Sequence, residues 1–197
     1  MTPEILIALA LYAFASSITP GPNNIMLMTS GANFGVRGSM PHLLGVGLGF
    51  ALMMVLVGVG IMGLLQAFPV ALKILQFGCV VYLLYLAIKI ACTADSAESQ
   101  KSKAPMSFVQ AALFQWVNPK GWSMALTAIS LYAPSQNLPT ILLVALVFCL
   151  VNLPSCGVWV LMGQSLHGWL AKPSRLKLFN LGMASLLLVS LYPLMFS

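Results

Sequence analysis

The chain reads Thr19-Pro20-Gly21-Pro22-Asn23-Asn24 in the middle of an apolar stretch that extends from about residue 4 to residue 33. A proline inside a helix removes a backbone hydrogen bond and clashes with the preceding turn, and here two prolines flank a glycine. The sequence therefore predicts a helix that ends near Thr19 and restarts near Asn23.

The composition indicates what surrounds this broken helix. Hydrophobic residues make up 60% of the 197 positions and charged residues 6%, whereas a soluble domain carries roughly 25% charged residues. Four spans contain no charged residue at all: 5–36, 38–72, 121–171 and 178–197. Because a bilayer crossing needs only about 20 apolar residues, we predict an all-α integral membrane protein whose main partner is the lipid bilayer and which binds no nucleic acid.

Polar and turn residues divide the chain into six apolar stretches, at about residues 4–33, 41–65, 69–92, 107–132, 138–163 and 176–196. We predict six transmembrane helices in one domain covering residues 1–197. A polar linker at about 93–106 separates a first repeat, about 1–92, from a second, about 107–197. Since each repeat has three crossings, the second must be inverted relative to the first, which is the architecture of many secondary transporters.

The basic residues indicate which way the chain crosses. Connections after the first, third and fifth helices contain seven of them: Arg37, Lys89, Lys101, Lys103, Lys172, Arg175 and Lys177. The opposite side has only Lys73. Because short cytoplasmic loops are enriched in Lys and Arg, we predict a cytoplasmic linker and two periplasmic termini.

A second break is predicted at the corresponding place in the second repeat, where the chain reads Val117-Asn118-Pro119-Lys120-Gly121. Roughly 20 Å of helix precedes each break, which places both near the bilayer midplane. Irregular backbone at that depth is tolerated only where protein or a water-filled cavity covers it. The two breaks therefore predict a central polar cavity.

We predict a substrate site at this cavity. The half-helices that restart near Asn23 and Lys120 direct the positive ends of their dipoles toward it, and such ends attract carboxylates. The fifth predicted helix contains Asn152-Leu153-Pro154-Ser155, where the proline makes the backbone irregular. Asn152 is a further predicted binding residue there, and Ser155 is a further polar group. The predicted binding residues are Pro20, Gly21, Pro22, Asn23, Asn24, Gln115, Asn118, Pro119, Lys120 and Asn152.

Lys120 has two interpretations. A charged group at the centre of a membrane helix costs about 3 kcal/mol, and the membrane stretches contain no acidic residue except Glu4 at one edge. A carboxylate on the substrate is one counter-ion. The alternative is that carbonyl groups at the end of a half-helix, near Thr19 or Val117, satisfy the ammonium group and that the prolines only kink the helices.

The remaining reactive residues predict no catalysis. His42 and His167 lie near the cytoplasmic ends of the second and fifth helices and are expected to be exposed, with proton sensing as an alternative. The four cysteines, Cys79, Cys92, Cys149 and Cys156, lie in apolar stretches and are expected to act as small hydrophobic residues without disulfides. We predict no metal site and no cofactor.

At these residues the chain resembles the LysE/RhtB family of small bacterial amino-acid exporters, over essentially its whole length. The resemblance rests on the motif at 19–24, the glycine-rich second helix, the polar central loop and Asn118-Pro119-Lys120. The cysteine/O-acetylserine exporter subgroup is the most similar, from Met1-Thr2-Pro3 and Asn24-Ile25. The resemblance implies an inner-membrane exporter of amino acids or close derivatives, with coupling to protons and a homodimer.

Two other functions remain open on the sequence alone. A membrane thiol-disulfide electron carrier of six helices places a reactive cysteine in each broken helix, and neither break contains one here. A passive channel for small solutes uses the same kind of central cavity but dissipates gradients. We favour alternating-access export from the cytoplasm.

Overall fold

A computed structural model describes residues 1–61, 69–92, 105–135 and 137–189. Every regular element in these residues is helical, so the predicted all-α class is confirmed for the described part of the chain. The helices are α1 (Pro3–Ile18), α2 (Pro22–Gly58), α3 (Pro69–Ala91), α4 (Phe108–Phe114), α5 (Pro119–Tyr132), α6 (Leu138–Ser165) and α7 (Pro173–Val189). Short 3-10 helices follow α4 (Gln115–Val117) and precede α7 (Trp169–Ala171).

The prolines of the two predicted breaks begin new helices. Pro22 is the first residue of α2, and Pro119 is the first residue of α5. Proline suits this position because its fixed φ is helical and its missing N–H would have no partner in the first turn. Each break is therefore a short stop and restart of the helix, at 19–21 and around Asn118.

α2 contains a sharp turn at Gly35, which has a φ of 68°. A left-handed φ favours glycine, since a Cβ would clash there. Ser39 Oγ lies 2.9 Å from Ser30 Oγ, although nine residues of straight helix span roughly 13.5 Å. The chain thus folds back into two arms, 22–34 and 36–58, and the predicted loop around residues 33–38 is reduced to a turn at one glycine.

The glycines of the second arm pack against neighbouring helices, as the four-residue spacing of Gly45 and Gly49 predicts from the sequence. A Cβ at Gly45 would meet the backbone of Phe108, and one at Gly49 would meet Ala112. The absence of a side chain at these two positions therefore lets α4 pack closely against α2. Gly60 differs because it lies past the helix with a φ of 103° and no neighbouring atom within 4 Å of an added Cβ. Gly63 lies outside the described residues.

The two largest of four buried hydrophobic clusters in the described residues join most of the helices. The larger joins α1, the second arm of α2, α5 and α6, with Phe148 edge-on to Phe50 and Tyr12 at ring-centroid distances of 5.8 Å. The smaller joins the first arm of α2, α3, α4 and α7 around Leu83 and Phe114. The polar cleft described below lies beside the first cluster.

Large apolar side chains cover the outside of the bundle. Leu11, Phe77, Leu113 and Leu150 are each more than 60% exposed, a pattern that water does not favour over so much of a surface. By length and hydropathy alone, α2 and α6 are the described helices that qualify as membrane spans. The six crossings and the inversion of the repeats stay predictions, and residues 62–65, most of the linker and residues 190–196 lie outside the described ranges.

Candidate functional site at the two helix breaks

The two breaks, about a hundred residues apart in sequence, meet at one polar cleft. It has about 310 Å³ of empty space. Its walls come from the end of α1, the start of α2, the start of α5 and the middle of α6. The lining residues are Ser16, Ser17, Gly21, Asn23, Asn24, Phe50, Asn118, Lys120, Gly121, Met124, Asn152 and Cys156.

The end of α1 is held by side chains from elsewhere in the chain. A helix leaves its last carbonyl groups without intrahelical partners, and these need donors when they are buried. Asn24 Nδ2 donates to the carbonyls of Ser17 at 2.7 Å and Thr19 at 2.8 Å, and Trp159 Nε1 donates to that of Ile18 at 3.0 Å. Asn24 therefore bridges the first break with one amide group.

Lys120 joins the second break to the first. Its Nζ donates to the Thr19 carbonyl at 2.7 Å, the Thr19 hydroxyl at 2.8 Å and the Pro20 carbonyl at 3.3 Å. All three partners are uncharged oxygens at the negative end of the α1 dipole, where a cation is favoured. The carbonyl contact that the sequence left as an alternative is thus present in this structure.

Gly21 makes room for the lysine stem. A Cβ added at Gly21 would lie 2.7 Å from Lys120 Cδ and 3.3 Å from Nζ. Its φ of −179° is extended backbone that any residue adopts, so space is the reason for a glycine here and conformation is not. This break and the position of Lys120 therefore depend on each other.

Asn23 and Gln115 form a second link between the breaks. Asn23 Nδ2 donates to Gln115 Oε1 at 2.8 Å, and Gln115 Nε2 donates back to Asn23 Oδ1 at 3.2 Å. Gln115 Nε2 also reaches the Ala111 carbonyl at 2.8 Å, and the Gln115 side chain is completely buried. The reciprocal pair closes the cleft on the α4 side.

α6 supplies the remaining polar wall. The Cys156 thiol contacts Asn24 Oδ1 at 3.3 Å and Asn152 Oδ1 at 3.1 Å. Asn152 and Cys156 are four residues apart, so they share one helix face. Ser155 does not join them, because its hydroxyl donates to the Val151 carbonyl of its own helix at 2.7 Å.

Two buried polar atoms in this region have no hydrogen-bond partner within the described residues. They are Ser17 Oγ and Asn118 Oδ1. Leaving such an atom unpaired typically costs about 1–3 kcal/mol, so unpaired atoms at a cleft indicate room for a ligand. The helices that start here, α2 and α5, also have no side-chain cap on their first N–H groups. The cleft thus offers cationic and N–H donors for a carboxylate and oxygen acceptors for an ammonium group.

The structure brings most of the sequence-predicted site residues to this cleft. Those that line it are Gly21, Asn23, Asn24, Asn118, Lys120 and Asn152. Gln115 is one hydrogen bond away, and Pro20 contributes its carbonyl. Pro22 and Pro119 are the first residues of α2 and α5 and are not among the residues that line the cleft.

Sequence reasoning missed other lining residues, among them Ser17, Phe50, Met124 and Cys156. Ser17 and Cys156 each had a local signal. Ser17 lies one turn or less before the first break, and Cys156 lies one turn after Asn152. Phe50 and Met124 had none, since ordinary apolar residues in helices do not reveal which of them reach a cleft.

The described residues contain no group of three or more His, Cys, Asp or Glu that could hold a metal ion. Cys92, Cys149 and Cys156 form no disulfide, and the side chain of Cys79 lies outside the description. The lining of the cleft indicates binding of a small polar molecule.

The expectation that His42 is exposed is wrong. Its side chain is 2% exposed, and neither ring nitrogen has a hydrogen-bond partner within the described residues. The turn at Gly35 explains this, because it folds the start of the second arm of α2 back against the first arm. His167 is exposed as expected, and its Nδ1 lies 2.7 Å from the Ala32 carbonyl.

Two comparisons with known proteins found matches. The model of the family described as LysE type translocator matches residues 14–191. The chain is 31% identical over 166 residues to the cysteine/O-acetylserine efflux protein of Escherichia coli strain K12, which covers 83% of this chain and 85% of that protein. The protein of the same name from Shigella sonnei strain Ss046 matches to the same extent. No solved structure matches the chain.

Proposed function

The chain belongs to the LysE type translocator family of integral membrane proteins, and on this premise we propose that it exports small zwitterionic amino acids or their close derivatives from the bacterial cytoplasm. Cysteine and O-acetylserine, which name the bacterial relatives, are the first candidate substrates. Both carry the α-carboxylate and α-ammonium groups that the cleft is equipped to bind.

One observation carries the proposal: among the described residues, the hydrogen-bond partners of the Lys120 ammonium group are all uncharged oxygens, and they lie across the two breaks. A charge that is taken out of water without a counter-ion keeps a strong affinity for an anion. A substrate carboxylate therefore competes with the Thr19 and Pro20 oxygens for Nζ. The unpaired Ser17 Oγ and Asn118 Oδ1 accept from the substrate ammonium group.

This competition couples binding to movement. Lys120 ties α5 to the end of α1 through its contacts with Thr19 and Pro20, and a carboxylate that competes for Nζ loosens that tie. A ligand shifts a conformational equilibrium by as much as its affinity differs between the states. We propose that loosening α1 opens the cleft to the other side of the membrane, which is alternating access.

Six crossings in two inverted halves complete the proposal, with both termini in the periplasm. The segment next to Arg37 lies against the helices on either side of Lys172, the second of which contains Arg175. Gln164 Oε1 accepts from the Val36 N–H at 2.6 Å, and Asn33 contacts Asn180 at 3.5 Å. This proximity supports a single cytoplasmic face. Proton coupling and a homodimer, which the family resemblance implies, are further parts of the proposal.

A growth-rescue screen tests the function. Cells that express the protein are challenged with toxic concentrations of single amino acids, starting with L-cysteine and O-acetyl-L-serine. We expect rescue and faster, saturable efflux of one or more of them, and a protonophore should abolish uphill efflux. Efflux that rises linearly with concentration and never exceeds the downhill gradient would indicate a channel instead.

Removal of all four thiols separates export from electron transfer. We expect a variant with Cys156→Ser and alanine at positions 79, 92 and 149 to retain at least half of the parent efflux rate. Serine at 156 keeps a donor for the Asn24 and Asn152 amide oxygens, which the Cys156 thiol contacts in the parent. Efflux of a non-thiol amino acid is measured at matched expression, with Cys156→Ala as the comparison. Loss of activity in the thiol-free variant, with activity retained in a variant that carries Cys156→Ser alone, would favour the thiol-disulfide carrier.

A further inference from the structure

A second cavity lies at the other end of the first arm of α2. It has about 580 Å³ of empty space and opens between both arms of α2, the end of α3 and residues 105–106. Asn24 lines the central cleft and Thr29 lines this cavity, and the five residues between them span roughly 7.5 Å of helix. The two cavities are therefore close neighbours along one half-helix.

The lining of this second cavity is polar on one side. His42 lines it from the second arm, and neither of its ring nitrogens has a hydrogen-bond partner among the described residues, although the side chain is almost completely buried. Such an arrangement loses hydrogen bonds that the same ring makes in water, so it destabilises the folded protein unless a ligand supplies partners. A neutral imidazole offers one donor and one acceptor.

The residues that line the cavity beside His42 provide groups that match both charges of a zwitterionic amino acid. Lys89 from α3 is the charged residue among those that line the cavity. Thr29 Oγ1 donates to the Ile25 carbonyl, and Asn33 Nδ2 donates to the Thr29 carbonyl and, at 3.5 Å, to Asn180 Oδ1. Thr29 Oγ1 and Asn33 Oδ1 are therefore able to accept hydrogen bonds. A carboxylate matches the Lys89 and His42 side, and an ammonium group matches the oxygen side.

The other walls of the second cavity are apolar and suit the side chain of a small bound amino acid. Met26, Phe34, Leu86, Ile90 and Met106 line them. Met26 also packs in the same buried cluster as Phe114, the residue before Gln115. This packing, together with the Asn23 and Gln115 amide pair, lies between the second cavity and the central cleft.

We propose that the cavity at His42 is a second binding site for the same class of zwitterionic amino acid, which the substrate occupies on the cytoplasmic side before it reaches the central cleft. This inference rests on the proposed export function and on the orientation given above. His42 acts there in binding, whereas Lys120 acts at the central cleft. The two sites are therefore separable by kinetics.

Transport of radiolabelled L-cysteine, kept reduced, into inside-out membrane vesicles tests the proposal, because the cytoplasmic face is then outside. We expect His42→Leu to raise KM at least tenfold with Vmax within twofold of the parent. In right-side-out vesicles, which present the periplasmic face, the KM of the same variant should not change. The control is His167→Leu, an exposed histidine whose substitution should alter neither KM nor Vmax.

Each other outcome overturns the proposal. An unchanged KM in inside-out vesicles means that His42 does not bind substrate, and a fall in Vmax at constant KM places His42 in a later step. If His42→Leu does not accumulate in the membrane, His42→Gln keeps polar atoms at the site and should show a smaller rise in KM under the same criteria. If Lys120→Met transports like the parent, the central cleft assignment fails by itself, whatever the result at His42.

Discussion

Lys120→Met should reduce the rate of amino-acid efflux about 10- to 100-fold at saturating substrate. Hydrogen bonds to charged groups contribute about 1.5–3 kcal/mol, and each 1.4 kcal/mol is a factor of ten. Methionine keeps the length and apolar character of the stem, so the change removes the ammonium group and little else. Efflux from preloaded cells at matched membrane expression measures the effect.

The control for Lys120→Met is Lys73→Met, an exposed lysine near the start of α3. It removes one positive charge far from the cleft and should leave efflux within twofold of the parent. Gly21→Ala is the complementary test, because the added Cβ would displace the Lys120 stem without altering any charge. We expect it to lower efflux as well. If Lys120→Met exports amino acids at the parent rate and is expressed at the normal level, the assignment of this cleft as the transport site is wrong.

Gly163→Val should destabilise the protein more than any surface change. A Cβ at Gly163 would run into the Met28 carbonyl oxygen, and one at Gly31 would run into the Val160 carbonyl oxygen. The first arm of α2 and α6 are therefore in backbone contact, as at other small-residue helix interfaces in membranes. Overpacking costs about 3 kcal/mol at the upper end of its usual range, or roughly 6–12 °C in Tm for a chain of this size.

Thermal unfolding of the detergent-purified protein, followed by size-exclusion fluorescence, measures this effect. Gly182→Val on α7 is the matched control, since no neighbouring atom lies within 4 Å of an added Cβ there. It should change Tm by no more than 2–3 °C, which reflects helix propensity alone. Equal shifts at Gly163 and Gly182 would show that the α2 to α6 contact is not close in the membrane.

The features that the sequence predicted well depend on residues that are close together in the chain. Proline and glycine act on the residues beside them, so Pro20, Gly21, Pro22 and Pro119 indicated where helices stop and restart, and the structure has both interruptions. The absence of charge over long spans indicated helices with apolar outer surfaces. The spacing of Gly45 and Gly49 indicated a packing face, although it did not reveal that α4 is the partner.

The features that escaped prediction depend on residues distant in sequence. Lys120 and Thr19 are 101 residues apart, and nothing in either motif selects carbonyl contact over substrate contact. His42 looked exposed because it follows a polar segment, and only the turn at Gly35 buries it. Candidate residues at a site can therefore be nominated from local chemistry, while the partners of each one come from the tertiary packing.

The contact between Lys120 and the Thr19 carbonyl also bears on how the protein is made. Synthesis runs from the N-terminus, so the end of α1 is already in the membrane when Lys120 leaves the ribosome. The Thr19 and Pro20 oxygens are then already in place to accept from the Lys120 ammonium group, whose insertion without a partner costs about 3 kcal/mol. The two predicted halves differ in this respect: we expect the first to insert without a buried cation and the second to need the carbonyl groups at the end of α1. A second half expressed by itself should consequently insert poorly, and co-expression of the first half should restore it.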